Sequence, residues 1–153
     1  DLLQDLVRDP DPETAAAAIL AVARLKDPVL VPALLDRMTD PRLREEACRA
    51  LAAYGDPLLP AVESALADPR TRRATRLALP RVLRYIGTIE SAATLARILP
   101  TTDGELRLAV LKALTRMREA RPGLELEVLA VETEREWARA SDSLGIDRAW
   151  CRH

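Results

Sequence analysis

The chain has 153 residues, 48% hydrophobic and 31% charged, enough for one domain with a buried core and too few for two comfortable ones. Its 23 cations and 24 acids leave a net charge of −1, which excludes a general polyanion binder. The single histidine is the last residue, His153, which excludes His-dependent acid–base, triad or metal chemistry from the body of the chain.

Ala and Leu supply 26 residues each, while β-branched and aromatic side chains are few, so the chain reads as all-α. Cys48 and Cys151 read as reduced, intracellular thiols and not as a disulfide framework. There is no signal peptide and no apolar run of roughly 18 residues, so a cytoplasmic setting without membrane insertion is expected. The first residue is not Met, which suggests a piece of a longer protein.

Asp-Pro punctuates the sequence at Asp11, Asp27, Asp40, Asp56 and Asp68. Asp11 to Asp40 spans 29 residues and Asp40 to Asp68 spans 28, with a second series offset by 16, so each unit holds two helices. An Asp carboxylate accepts from free amides at a helix start and Pro fits the first helical turn, so each Asp-Pro is expected to mark a helix N-terminus. Residues 1–8 read as a truncated second helix of a preceding repeat, because Leu3 and Val7 align with Leu34 and Met38; an apolar edge is expected there. Repeat 1 takes residues 9–39 and repeat 2 takes 40–67. In their first helices Ala18, Val22 and Leu25 match Ala47, Leu51 and Tyr54, one apolar stripe. Repeat 3, residues 68–102, is about one turn longer, with a helix broken or kinked at Pro80 and a second helix capped at Thr88. Residues 103–122 form the first helix of repeat 4, with Arg107, Val110, Leu111 and Leu114 on Arg44, Ala47, Cys48 and Leu51. A capping helix follows at 123–145, its predicted stripe running through Leu126, Leu129, Ala130, Thr133, Trp137, Ala140 and Leu144. Residues 146–153 are a tail.

The Asp-Pro openings, the following Arg44, Arg72 and Arg107, the Ala-Leu stripe and Gly55 or Gly87 resemble the short bacterial form of the HEAT repeat, the type also seen in phycobilin lyases. The resemblance covers about residues 1–120 and implies a right-handed α-solenoid of stacked antiparallel helix pairs. Repeat 1 departs from it, with Ala15 at the Arg position and Lys26 at the Gly position. Residues 79–88 and 111–118, followed by an acidic helix bearing Trp137, are also similar to the cytosolic HEAT segments of bacterial proteins built around an ADP/ATP translocase-like transporter domain.

Three features are candidates for function. Arg44, Arg72 and Arg107 stand one turn inside successive helix starts and are expected to form an ion-pair ladder with Asp residues of neighbouring units. No acid stands between Asp68 and Glu90, where Arg70, Arg72, Arg73, Arg76, Arg81 and Arg84 gather six charges. That patch is read as partner-facing, with a nucleic-acid or phosphate ligand as the alternative. Six Glu between Glu119 and Glu136 read as a solvated face, and Trp150, off the stripe, as a contact residue. No catalytic pair, phosphate loop, metal-ligand spacing or cofactor motif is present. The reading is therefore a non-catalytic scaffold, with its second helices lining a surface for a protein partner or another domain of the parent chain.

Overall fold

The computed structural model describes residues 2–102 and 104–144. Among these it contains nine α-helices and no strand: α1 (Leu2–Val7), α2 (Pro12–Leu25), α3 (Val31–Arg37), α4 (Arg44–Ala52), α5 (Leu59–Ala67), α6 (Arg73–Ile86), α7 (Ile89–Ile98), α8 (Gly104–Ala120) and α9 (Leu124–Leu144). The helices form two rows. In one row α2, α4, α6 and α8 pack each on the next; in the other α1 packs on α3, α5 on α7 and α7 on α9. This is an all-α solenoid, with a single core threading the rows through Val22, Leu34, Leu51, Val62, Leu79 and Leu95.

The Asp-Pro dipeptides do their work slightly upstream of where the sequence suggested. Only Asp11 caps an α-helix directly, accepting from the Thr14 N–H at 2.9 Å and its hydroxyl at 2.7 Å. Asp27 caps a short 3-10 turn that leads into α3. Asp40 and Asp68 accept from the amides of Arg42 and Arg70, at 2.9 and 2.8 Å, and α4 and α6 begin only at Arg44 and Arg73. Pro after Asp suits a turn as well as a first helical position, and here the turn prevails. Asp56 instead accepts from the Thr88 hydroxyl, 2.6 Å away on the next helix pair. Thr88 caps α7, as expected, accepting from the Ser91 N–H.

Pro80 does not break its helix. Its missing N–H forfeits the bond to the Arg76 carbonyl, a cost of about 3 kcal/mol in a helix interior. Leu79, Val82 and Leu83 beside it are fully buried, and each contributes about 1.5–3 kcal/mol of burial, so packing carries the helix through. The C-terminal end of α2 shows why the unit boundary favours glycine. Lys26 sits there with φ 54°, a left-handed conformation that Gly87 takes at the end of α6 with φ 69°.

Val7 is fully buried, and Arg37 donates to its carbonyl and to that of Asp9, so the C-terminal end of α1 is covered, while Leu2 is 73% exposed and Leu3 and Leu6 are half-buried. Two packing expectations change. Leu25 is 60% exposed and leaves the stripe. In α9 the buried positions are Leu124 and Val128, with Val131 packed behind them, while Leu126 and Leu129 point outward. The helix is rolled because it packs on α7, where Arg135 pairs with Glu90. The side chains of Thr133, Trp137, Ala140 and Leu144 lie outside those described.

Candidate functional site

The first helices carry a groove that the repeat builds from two neighbouring units. On α6, Leu77, Pro80, Arg81 and Arg84 stand at i, i+3, i+4 and i+7, one face of the helix. The opposite rows bury Ala78, Leu79, Val82 and Leu83, which fixes the rotation of α6 and aims the arginines outward. On α8, Glu105, Leu108, Ala109 and Lys112 repeat the same spacing, with Arg116 one turn further on, and form the other wall. The groove has a volume of about 450 Å³ and is lined as much by polar as by apolar surface, with four cations and the Glu105 carboxylate on its walls.

Its charges are not equally available. Arg81 lies 3.4 Å from Glu45 of α4, which also accepts from Arg49 at 3.2 Å and from the Tyr85 hydroxyl. The Tyr85 hydrogen bond, followed by the two guanidinium groups, holds the Glu45 carboxyl below its ordinary range despite partial burial. Arg84 stacks 4.4 Å from the Tyr85 ring centre and makes no ion pair among the described residues, nor does Lys112. Arg116 meets Glu119 at 3.4 Å with both side chains exposed, a weak contact. Arg84 also stands in the last turn of α6, where the helix dipole favours a cation. The net result is a trough of mixed lining in which Glu105 is paired with Arg73, while Arg84 and Lys112 are free of ion pairs and Arg116 is only weakly held.

Of the six arginines singled out from sequence, Arg81 and Arg84 lie in the groove. Arg73 and Arg76 line an adjoining hollow of about 410 Å³ at the start of α6, which shares Leu77 and Glu105 with the groove, and Arg73 is paired with Glu105 of α8 at 2.8 Å. Arg70 and Arg72 are exposed in the turn before α6. Trp150 lies outside the described residues. Sequence reasoning missed Lys112 and Arg116, yet a signal was present: Arg116 follows Arg81 by 35 residues, the spacing of Asp103 from Asp68.

The expected Asp ladder is replaced by a different one. Arg44 donates to the Met38 carbonyl at 2.9 Å and so closes its own unit's turn. Inter-unit pairs run from arginine to glutamate instead: Arg81 to Glu45, Arg97 to Glu63, Arg73 to Glu105 and Arg135 to Glu90. Cys48 is free and fully buried, and burial pushes its thiol up to about 11, so it is no nucleophile. Among the described residues no group of three acidic, His or Cys side chains could hold a metal ion, and no helix is long and apolar enough to cross a membrane.

A family model described as HEAT repeats matches residues 1–80. That region contains α1 to α5 and the first half of α6, so the groove begins inside it and its second wall lies beyond it. No curated protein matches the chain.

Proposed function

The chain belongs to the HEAT-repeat family, whose members generally serve as protein-interaction scaffolds, and from that premise we propose that its α6–α8 groove docks an acidic, partly apolar segment of a partner protein. The observation that carries this reading is the pairing of apolar side chains with open cations on both walls. An amphipathic acidic helix would lay apolar side chains on Leu77, Pro80 and Leu108 and its carboxylates against Arg84, Lys112 and Arg116. No chemistry is required of the module; it holds a partner in place. The resemblance of residues 79–88 and 111–118 to transporter-linked segments supports a setting in a larger bacterial protein, on the cytosolic side. Sequencing the surrounding gene for membrane spans tests that setting.

Nucleic acid is the competing ligand. Against it stands a groove lining without an aromatic ring on which a base could stack. Fluorescence anisotropy with a labelled peptide bearing Glu and Leu at helical spacing, beside labelled duplex DNA, separates the two. The peptide should bind, and Lys112→Glu with Arg116→Glu should abolish binding without loss of helicity. A nucleic-acid site using about five phosphate contacts would give log–log salt slopes near −4.5. DNA binding with that slope, persisting at physiological salt while the peptide fails, would overturn the proposal.

A further inference from the structure

The open cations of the groove are not equally ordered. Lys112 is an exposed ammonium on a flexible four-carbon stem, and Arg116 is exposed and shares only a weak contact with Glu119. Arg84 is half-buried, and its guanidinium lies over the Tyr85 ring, 4.4 Å from the centre. Neighbours in sequence point about 100° apart on a helix, so sequence spacing alone does not bring them together. The Arg84 side chain leans across onto the ring while still lining the groove.

The ring is itself held by the neighbouring unit. The Tyr85 hydroxyl donates to Glu45 of α4, and Arg49 and Arg81 grip the same carboxylate at 3.2 and 3.4 Å. Arg49 also stands 5.2 Å from the ring centre. Tyr85 is therefore fixed at both ends, by its backbone in the last turn of α6 and by its hydroxyl on α4. A guanidinium lying on an aromatic ring uses its face, while all of its N–H groups point outward in its plane. The stack thus costs Arg84 none of its donors, and it restrains a side chain that would otherwise lose rotamer freedom on binding.

We infer that Tyr85 is a positioning residue, which holds Arg84 ready as the contact by which the groove selects a carboxylate. The inference rests on the docking proposed for the groove and names the feature of the acidic segment that is read there. A planar carboxylate takes two parallel N–H bonds from a guanidinium, and Arg84 is the one open guanidinium of the groove that a ring holds in place. Lys112 supplies only a point charge, and Arg116 has to be ordered when the partner arrives. Affinity is therefore concentrated at the Arg84 end, with Lys112 and Arg116 adding charge around it.

Titrating the labelled peptide bearing Glu and Leu at helical spacing against the whole chain and its variants tests this, with circular dichroism confirming helicity. Arg84→Lys and Tyr85→Leu should each weaken binding about tenfold, and the double variant should lose no more than either alone, since both remove one held guanidinium. Tyr85→Phe keeps the ring and should stay within about threefold of wild type. With Gln in place of Glu in the peptide, the difference between wild type and Tyr85→Leu should vanish. The free chain gives a separate readout by heteronuclear NMR. The Arg84 Nε–H should be shifted upfield by the ring in wild type and Tyr85→Phe, and should return to the position of an exposed arginine in Tyr85→Leu. An Arg84 signal identical in wild type and Tyr85→Leu overturns the inference, and so do losses that add fully in the double variant. A peptide that binds wild type and Tyr85→Leu equally sinks this inference alone, whereas a peptide that fails to bind wild type while the Arg84 signal is shifted sinks the docking reading.

Discussion

Replacing Leu51 by Ala is the sharpest test of how the layers hold together. Leu51 is fully buried on α4, which packs against both α2 and α6. The substitution removes three carbons, about 2.4 kcal/mol at roughly 0.8 kcal/mol per buried carbon, before any cavity is counted. Adding a cavity that rigid neighbours cannot refill brings the loss to about 3–5 kcal/mol. The unfolding entropy of a chain this long is about 0.3 kcal/mol per kelvin, so a loss of about 3 kcal/mol lowers Tm by about 9 °C. Leu114 occupies the same repeat position by sequence, but on α8 it is only half-buried and lines a hollow beside α9. Leu114→Ala should therefore cost less than about half as much. Thermal and denaturant unfolding of the two variants, followed by circular dichroism, gives the comparison. Hydrogen exchange should show the Leu51→Ala loss spreading into α2 and α6, because each layer depends on its neighbours. Equal losses at the two positions, or an unchanged midpoint for Leu51→Ala, would refute the layer assignment.

Three further outcomes are expected. Lys26→Gly should raise stability by up to about 1 kcal/mol in denaturant titration, since glycine accepts the left-handed φ of 54° that lysine resists. Glu45 has its carboxyl held below the ordinary value of 4.5, so it contributes stability that is present above that value and lost as pH falls through the depressed one. Glu45→Gln should flatten this part of the acid unfolding curve, and a curve identical to wild type would count against the Tyr85–Glu45 bond. The Cys48 thiol, raised to about 11 by burial, should resist alkylation near neutral pH in the folded chain and react on unfolding in denaturant.

The period of the Asp-Pro signals and the helix-forming composition were enough to establish an all-α stack of helix pairs, because both are local: turn chemistry acts within a few residues and helix propensity within one turn. The same locality explains Thr88 as a cap and the special position that Lys26 shares with Gly87. What one helix presents to another could not be read this way. Rolling α9 to bury Leu124 and Val128 depends on α7, and the continuity of α6 through Pro80 depends on buried neighbours that outweigh a lost hydrogen bond. The candidate groove was half legible. Arg81 and Arg84 stand in an acid-free run, but their counterparts Lys112 and Arg116 lie on the next unit, and the contact of α6 with α8 brings them together. Which arginines remain open was decided at the same level, since Glu45 and Glu105, distant in sequence, neutralise Arg81 and Arg73 and leave Arg84 uncommitted. Charge counts along a chain see only neighbours in sequence, whereas a binding surface is set by neighbours in space.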